Sequence, residues 1–364
     1  MQAAVLQRIK DFQKLLKNAR LDGYVCAGST ELRYFLPVYN DTSDEVLLLI
    51  TRRAVYAFAC GLVQQKLAPL SFLQVKVVPR PAGNLLAEML DFARKKKLLH
   101  LAFCPKEVNF ELGEKMVAAG FHRFEDGVRE LRKTKYADEL ACLSKACQIA
   151  AEAFEEVKPQ IKTGMSEADV KDLIAVAMVK RGAEFIPFNI VCFGENAYDC
   201  HHEPTAKRKL KKNDSVLMDF GCFYKGYCSD MTRSWWHGDK EPAEYSKIWH
   251  LVAIAKEAAV GRLKVGLPVA EVDKAARDII EDAGYGKYFF HTTGHAIGLE
   301  VHEAPIERAN AVGQLEENMV LTVEPGIYLP GKFGVRLEDS YWITQKGCKN
   351  LTQIKRRCVS RRER

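Results

Sequence analysis

The sequence predicts an α+β chain, in which a smaller amino-terminal α/β domain precedes a larger domain of helices backing an antiparallel sheet. A length of 364 residues is enough for two domains. Over residues 1–131, short apolar runs alternate with helical patterns. Over residues 132–354, two acid-bearing hairpin patterns accompany long helical patterns, and a basic segment, 355–364, follows.

The amino-terminal domain is predicted from apolar spacing. Apolar residues at helical intervals predict a helix over residues 4–19. Further helices are predicted at 85–96 and 111–119, the second ended by Gly120. Short runs rich in apolar residues predict strands at 23–27, 45–51, 55–60, 74–78 and 98–104. This alternation is typical of an α/β domain.

The larger domain is predicted to begin with a long helix. A polar stretch over residues 130–138 marks the boundary, and a helical pattern over 139–157 follows it. Three further helical patterns cover 166–181, 245–265 and 269–284. The remaining apolar segments of this part are the two predicted hairpins.

The first predicted hairpin covers residues 215–235 and has a tight turn at Lys225-Gly226. Pairing across this turn places Asp230 opposite Gly221, with Asp219 two residues further along. Side chains alternate between faces, so the two aspartates share a face roughly 7–8 Å apart. Gly221 is expected to leave the space between them open. Carboxylates facing one gap predict a site for hard or borderline divalent cations.

The second predicted hairpin pairs residues 319–328 with 334–344 around Gly331. This register places Glu324 directly opposite Glu338. Like charges that face each other across a ladder are destabilising unless something neutralises them. Two divalent cations would balance four carboxylates, and the alternative is a pair of surface strands with solvated acids.

His295 is the fifth predicted metal ligand. A lone histidine among apolar residues is more often a hydrogen-bonded core residue. Here His291, His295 and His302 lie within twelve residues, interspersed with glycines and ending in His-Glu. Neutral imidazole is a common divalent-metal ligand, and this clustering favours ligation.

These motifs carry a resemblance. Asp-Phe-Gly with a second Asp eleven residues on, Gly-His-Ala-Ile-Gly-Leu-Glu-Val-His-Glu, Val-Glu-Pro-Gly-Ile-Tyr and Val-Arg-Leu-Glu-Asp resemble the pita-bread metallopeptidases. That family contains methionine aminopeptidase, aminopeptidase P, prolidase and creatinase. The resemblance covers residues 135–350 and implies a pita-bread domain. The amino-terminal part resembles the smaller domain of the proline-specific branch.

The resemblance implies a role for each predicted ligand. Asp219 and Asp230 would bind both metals between them, Asp230 and Glu338 would bridge, and His295 and Glu324 would complete the shell of one ion. A water or hydroxide shared by the two ions would be the nucleophile, because two metals acidify water and polarise the scissile carbonyl. Glu324 would also be the general base.

The resemblance also implies substrate-binding residues. His302 and His201 correspond to two histidines that hold the substrate and stabilise the developing oxyanion. His202 is the alternative to His201: the Cys-His-His-Glu-Pro motif favours His201, and the spacing to the first aspartate in some proline peptidases favours His202. His291 is expected to support the ligands or to line a proline pocket. Arg336 is a further substrate-binding candidate.

Ile306 departs from the pattern of many prolidases, which have an arginine there to bind the free carboxylate of a dipeptide. An isoleucine cannot make that charge-assisted contact. Arg308 is close in sequence, with nothing to show that it reaches the site. The sequence therefore favours an Xaa-Pro aminopeptidase acting on longer peptides, with an Xaa-Pro dipeptidase (prolidase) as the alternative. A methionine aminopeptidase and a non-catalytic binding relative are remoter alternatives.

The expected cofactors are two divalent metal ions per chain. A set of ligands rich in carboxylates with one histidine favours Mn²⁺, and Co²⁺ and Zn²⁺ are the alternative metals. The expected partners are peptides with proline at the second position and, by the resemblance, a second copy of the chain in a homodimer.

The distribution of charged and apolar residues bears on the location and partners of the protein. The chain carries a net charge of +7, but residues 355–364 hold six basic residues and one acidic residue, which argues against a nucleic-acid surface. No secretory signal and no membrane-spanning apolar stretch is recognised. Eleven scattered cysteines are expected to be reduced thiols. These features predict a cytoplasmic protein without nucleic-acid or membrane partners.

Overall fold

The computed structural model describes residues 2–36, 45–78, 84–125 and 127–354. The predicted basic segment, 355–364, lies outside the described residues. The chain divides into two compact units, Met1–Arg132 and Lys133–Arg364. Each unit contains its own buried apolar cores.

The first unit is a six-stranded sheet with helices, in the strand order β4-β3-β2-β1-β5-β6. Strands β1, β2 and β3 pair antiparallel, and the remaining neighbours pair parallel. The strands are β1 (Gly23–Cys26), β2 (Val46–Thr51), β3 (Val55–Cys60), β4 (Leu73–Val78), β5 (Leu101–Phe103) and β6 (His122–Arg123). The helices are α1 (Gln2–Asn18), α2 (Ser29–Phe35), α3 (Gly61–Leu67), α4 (Leu85–Lys95), α5 (Phe110–Ala118) and α6 (Gly127–Lys133).

The five predicted strands and three predicted helices of this unit are present. The fifth strand begins at Leu101, three residues later than predicted. The reason is local: the backbone amides of Leu99 and His100 both donate to the carboxylate of Asp22, at 3.0 Å, instead of extending the ladder. The short helices α2, α3 and α6 were not predicted, because seven residues make only two turns and show little periodicity.

The second unit holds four long helices and twelve strands among its described residues. The helices are α7 (Ala137–Val157), α8 (Glu167–Lys180), α9 (Ala243–Val260) and α10 (Ala270–Asp282). The strands are β7 (Asn189–Phe193), β8 (Asp214–Phe220), β9 (Phe223–Tyr224), β10 (Tyr227–Cys228), β11 (Met231–His237), β12 (Gly294–Ala296), β13 (Glu303–Glu307), β14 (Val320–Val323), β15 (Gly326–Leu329), β16 (Phe333–Arg336), β17 (Asp339–Thr344) and β18 (Gly347–Asn350).

Two antiparallel sheets form the centre of this unit. One has the order β11-β8-β7, and its apolar side packs on α7 and α8. The other has the order β13-β12-β14-β17-β18 and packs on α9 and α10. The predicted arrangement of helices backing antiparallel strands is therefore confirmed. In the part of the chain that the structure describes, no helix combines the length and apolarity needed to cross a membrane.

Candidate metal centre and substrate cavity

The first acid-bearing hairpin has the predicted register. Strand β9 pairs with β10 and β8 pairs with β11 in the same register, with a break between the two pairs, and this register places Asp230 opposite Gly221 and Asp219 two residues further on. Lys225 and Gly226 form the turn with φ angles of 49° and 78°. Two successive positive φ values suit the right-handed twist of the strands they connect.

Gly221 has a different role from the one expected. A Cβ at this position would lie 2.0 Å from the carbonyl oxygen of Ser229 and 2.7 Å from Cζ of Phe188. The obstacle is therefore the facing backbone and an aromatic ring. The expectation that glycine leaves a gap between the two carboxylates is replaced by a close-packing requirement.

Gly221→Ala is expected to destabilise the protein by about 3 kcal/mol, the upper end for overpacking a core, because a backbone carbonyl cannot move aside cheaply. Thermal or denaturant unfolding would measure the change. Gly61→Ala is the control, because nothing lies within 4 Å of a Cβ there. Equal stabilities of the two variants would contradict the packing argument.

The second acid-bearing hairpin also has the predicted register. Strand β14 pairs with β17 and β15 pairs with β16 along one ladder, which places Glu324 opposite Glu338. Pairing between the two strands of this hairpin is interrupted around these glutamates. There the backbone amide of Glu338 donates to the carbonyl oxygen of Thr232, at 3.2 Å. The hairpin is thereby joined to the strand that follows Asp230.

The five predicted ligands converge in the second unit. Nε2 of His295 lies 3.3 Å from Oε1 of Glu324 and 3.7 Å from Oδ2 of Asp230. One potential ligand atom from each of Asp230, His295 and Glu338 lies within 4.8 Å of the others. Asp219 lies close enough for its charge to raise the pKa of Asp230. The five side chains are at most 16% exposed.

Hydrogen bonds orient His295 for ligation. Its Nδ1 lies 3.1 Å from the carbonyl oxygen of Ala296, so Nδ1 carries the proton and Nε2 faces the carboxylates. Its backbone amide donates to Oγ1 of Thr322, and that hydroxyl donates to Oε1 of Glu324, at 3.3 Å. Outer contacts of this kind set the tautomer and direction of metal-binding histidines.

The electrostatics show an excess of buried negative charge. Burial raises the pKa of Asp230 well above its usual value, and Glu338 and Asp219 raise it further. Burial likewise raises the pKa of Glu338, with the charge of Glu324 adding to it. Burial also raises the pKa of Glu324, but its hydrogen bond and ion pair with His295 prevail and lower that pKa to about 2.

Two carboxylate oxygens at this centre have unused hydrogen-bonding capacity. Among the described residues, Oδ1 of Asp219 and Oε1 of Glu338 are buried without a hydrogen-bond partner. Buried polar atoms are rarely left unpaired unless an ion or a water satisfies them. Oxygen ligands and one imidazole nitrogen are the donors that hard and borderline divalent cations prefer. The residues present therefore fit a divalent metal.

Arg336 and Thr232 support the acids, a role that the sequence reasoning missed. Arg336 is buried and donates to a carboxylate oxygen of Asp219, to the hydroxyl of Tyr328 at 2.7 Å and to Oγ1 of Thr232 at 3.1 Å. Thr232 in turn donates to Oε2 of Glu338, at 2.6 Å. The predicted role of Arg336 in substrate binding stays a prediction.

A cavity of about 700 Å³ opens above the acids. This volume lies within the usual range for small-molecule sites. The wall combines four of the predicted ligands with three histidines and with apolar side chains. The principal lining residues are Phe188, Ile190, His201, Asp219, Asp230, Phe290, His291, His295, Val301, His302, Ile306, Arg308, Glu324 and Arg336.

The two adjacent histidines lie in different surroundings. His201 lines the cavity. Nε2 of His202 lies 2.9 Å from Oε2 of the buried Glu167 and 3.1 Å from Nδ2 of Asn196. His202 is thus bound into a buried hydrogen-bond network, whereas His201 faces the space above the acids.

The other two histidines also line the cavity. The ring of His302 lies 4.3 Å from that of His295, measured between centroids. His291 has both nitrogens engaged, by the hydroxyl of Tyr328 at 2.8 Å and by the carbonyl oxygen of Thr292 at 2.7 Å. The structure therefore brings His201, His291 and His302 together around one cavity.

Arg308 is a cavity residue that the sequence reasoning left without a role. It lines the same wall as Ile306, two residues away along the chain. Arg308 lies one residue beyond the end of β13, so its proximity to Ile306 in sequence was the available signal.

Comparisons with known proteins agree with this geometry. Residues 141–345 match the profile of metallopeptidase family M24. An uncharacterized peptidase of Staphylococcus saprophyticus is 30% identical over 95% of this chain and 99% of its own length. An Xaa-Pro dipeptidase from Bacillus anthracis superposes with a TM-score of 0.89 at 31% identity, covering 96% of this chain and 98% of the other.

A second solved structure extends the likeness. An X-Pro aminopeptidase from Thermotoga maritima superposes with a TM-score of 0.83 at 28% identity, covering 92% of this chain and 96% of the other. The predicted pita-bread fold is confirmed, together with the smaller amino-terminal domain. Peptide hydrolysis with a divalent metal is the activity of this family. The chain belongs to metallopeptidase family M24.

Proposed function

We propose that this metallopeptidase is an Xaa-Pro exopeptidase, which removes an amino-terminal residue that precedes proline. The observation that carries the proposal is the placement of buried, metal-fitting acids at the base of an apolar cavity lined by three histidines. Structural neighbours named for Xaa-Pro dipeptidase and X-Pro aminopeptidase activity support it.

In the proposed mechanism, two divalent ions would be held by five side chains, those of Asp219, Asp230, His295, Glu324 and Glu338, and Mn²⁺ is the proposed metal. When bound, such ions supply Lewis acidity, which acidifies water and polarises a carbonyl. Glu324 accepts the proton of the attacking water, and this proton passes to the proline nitrogen as the peptide bond breaks. His201 and His302 donate hydrogen bonds to the oxyanion that develops on the carbonyl oxygen.

Two versions of this function differ in the length of the preferred substrate: an Xaa-Pro aminopeptidase cleaves longer peptides, and an Xaa-Pro dipeptidase cleaves dipeptides. Ile306 in the cavity wall supports the aminopeptidase version, because it offers no cation at the position where prolidases bind a dipeptide carboxylate. Arg308 in the same wall supports the dipeptidase version, because a guanidinium pairs well with a carboxylate.

Hydrolysis of Ala-Pro, Ala-Pro-Ala and Ala-Ala-Ala by the Mn²⁺-loaded enzyme tests the function. Faster release of alanine from Ala-Pro-Ala than from Ala-Pro supports the aminopeptidase version, and the reverse supports a prolidase. Equal or faster cleavage of Ala-Ala-Ala would overturn the specificity for proline. The cytoplasmic setting and the homodimer stay predictions of the sequence.

His201→Ala is expected to lower kcat/KM by roughly 100-fold with little loss of stability, the magnitude found when one oxyanion donor is removed. His202→Ala is the matched variant. It is expected to destabilise the protein by about 1–2 kcal/mol, because it removes a partner of the buried Glu167. Kinetics and thermal unfolding of both variants would measure the contrast. A larger kinetic loss in His202→Ala would reverse the assignment.

A further inference from the structure

Ile306 on strand β13 lines the cavity, and so does Arg308, one residue beyond the end of this strand. Its odd-numbered residues, Glu303, Pro305 and Glu307, are buried on the side away from the cavity. Ile306 and Arg308 both line the cavity, whereas Glu307 between them is buried. Arg308 thus adds a cationic group to the cavity wall two residues after Ile306.

The guanidinium of Arg308 is available for a ligand. Among the residues that the structure describes, none forms a hydrogen bond or ion pair with its side chain, and the residue is exposed. The other arginine of the cavity wall, Arg336, is buried and already donates to Asp219, Tyr328 and Thr232. Arg308 is therefore the cavity arginine with free donors.

The distance between Ile306 and Arg308 suits the carboxy-terminal end of a short peptide. Arg308 lies two residues beyond Ile306, at most about 7.2 Å along the backbone. One residue of an extended peptide covers at most about 3.6 Å. A long side chain at this distance reaches the carboxylate of a peptide that ends at proline or one residue after it. A guanidinium forms paired, charge-assisted hydrogen bonds with that group.

We propose that Arg308 binds the free carboxy-terminal carboxylate of short substrates, Xaa-Pro and Xaa-Pro-Yaa, and so selects peptides that end inside the cavity. This inference rests on the proposed Xaa-Pro exopeptidase function. Arg308 would thus supply the carboxylate-binding group that Ile306 cannot provide.

The test compares peptides that differ only in the carboxyl group. We would measure kcat and KM for Ala-Pro and Ala-Pro-Ala as free acids and as carboxy-terminal amides, with the wild-type enzyme and Arg308→Ala. The free acid of at least one length is expected to be cleaved with about tenfold higher kcat/KM by the wild type, from the strength of a charged hydrogen bond. Arg308→Ala is expected to lose this preference through KM, with the amides cleaved as before.

Two control variants complete the design. Arg308→Lys is expected to keep part of the preference, because it retains the charge without the paired geometry. Arg262→Ala removes an exposed arginine just beyond α9, outside the cavity, and is expected to leave all four rates unchanged.

Equal losses for acids and amides in Arg308→Ala, or no loss for either, would overturn the role of Arg308 while leaving the exopeptidase function intact. A wild-type enzyme that cleaves neither acids nor amides would overturn the proposed function, and this inference with it.

Discussion

Replacing Glu324 with glutamine is expected to lower kcat by about 10²–10⁴-fold, the usual contribution of a positioned general base. Glutamine has nearly the same shape but cannot accept the proton of the attacking water. The measurement is kcat at saturating Xaa-Pro peptide and saturating Mn²⁺.

The bound-metal content of this variant must be measured as well, because Glu324 is also a proposed ligand. Glu316→Gln is the matched control, since Glu316 is exposed and lies outside the cavity wall. It is expected to behave as the wild type. Unchanged turnover in Glu324→Gln, or in Glu324→Ala, would refute the assigned role of this carboxylate.

Removing the divalent ions is expected to abolish hydrolysis and to lower the melting temperature. Without cations, the facing carboxylates of Asp230 and Glu338 are buried close together, and both have raised pKa values. A ligand held at 100 times its dissociation constant stabilises a fold by about 2.7 kcal/mol. Chelation followed by thermal unfolding, then re-addition of Mn²⁺, Co²⁺ or Zn²⁺, would measure the loss and identify the metal that restores activity.

Elemental analysis gives this prediction a second measurement. The purified enzyme is expected to hold two ions per chain, and Asp230→Asn is expected to hold fewer and to be inactive. Asp282→Asn is the control, because Asp282 is an exposed carboxylate at the end of α10. A wild-type protein with less than one ion per chain, and no activity on adding Mn²⁺, would refute the metalloenzyme mechanism.

The registers of both hairpins could be predicted from the sequence because side chains on paired strands alternate with period two. Once the turn at Lys225-Gly226 was recognised, every pair along that ladder followed. The same logic placed Glu324 opposite Glu338. These predictions depend on local geometry alone, so one chain segment contains all the information that they need.

Other contacts of the proposed ligands depend on which distant segments of the chain pack together. Thr232 donates to Glu338 although 106 positions separate them in sequence, and Arg336 joins Asp219 across 117 positions. The clash that requires Gly221 involves Phe188, from outside the hairpin. No periodicity within either hairpin could indicate these contacts, because each involves a residue from outside the hairpin concerned.

Which of the two adjacent histidines, His201 or His202, lines the cavity also depends on the tertiary structure. The motif left both histidines open, and the binding of His202 to Glu167 showed which one faces the cavity. Arg308 entered the site for a similar reason, since a cavity wall is formed by several segments at once.

The sequence by itself predicted the metal-ligand set, the two hairpin registers and the family resemblance. Only the tertiary structure decided which groups contact the acids and which side chains line the cavity. The physical reason is that strand pairing follows from short-range alternation, whereas the surroundings of a buried charge or a cavity depend on segments distant along the chain.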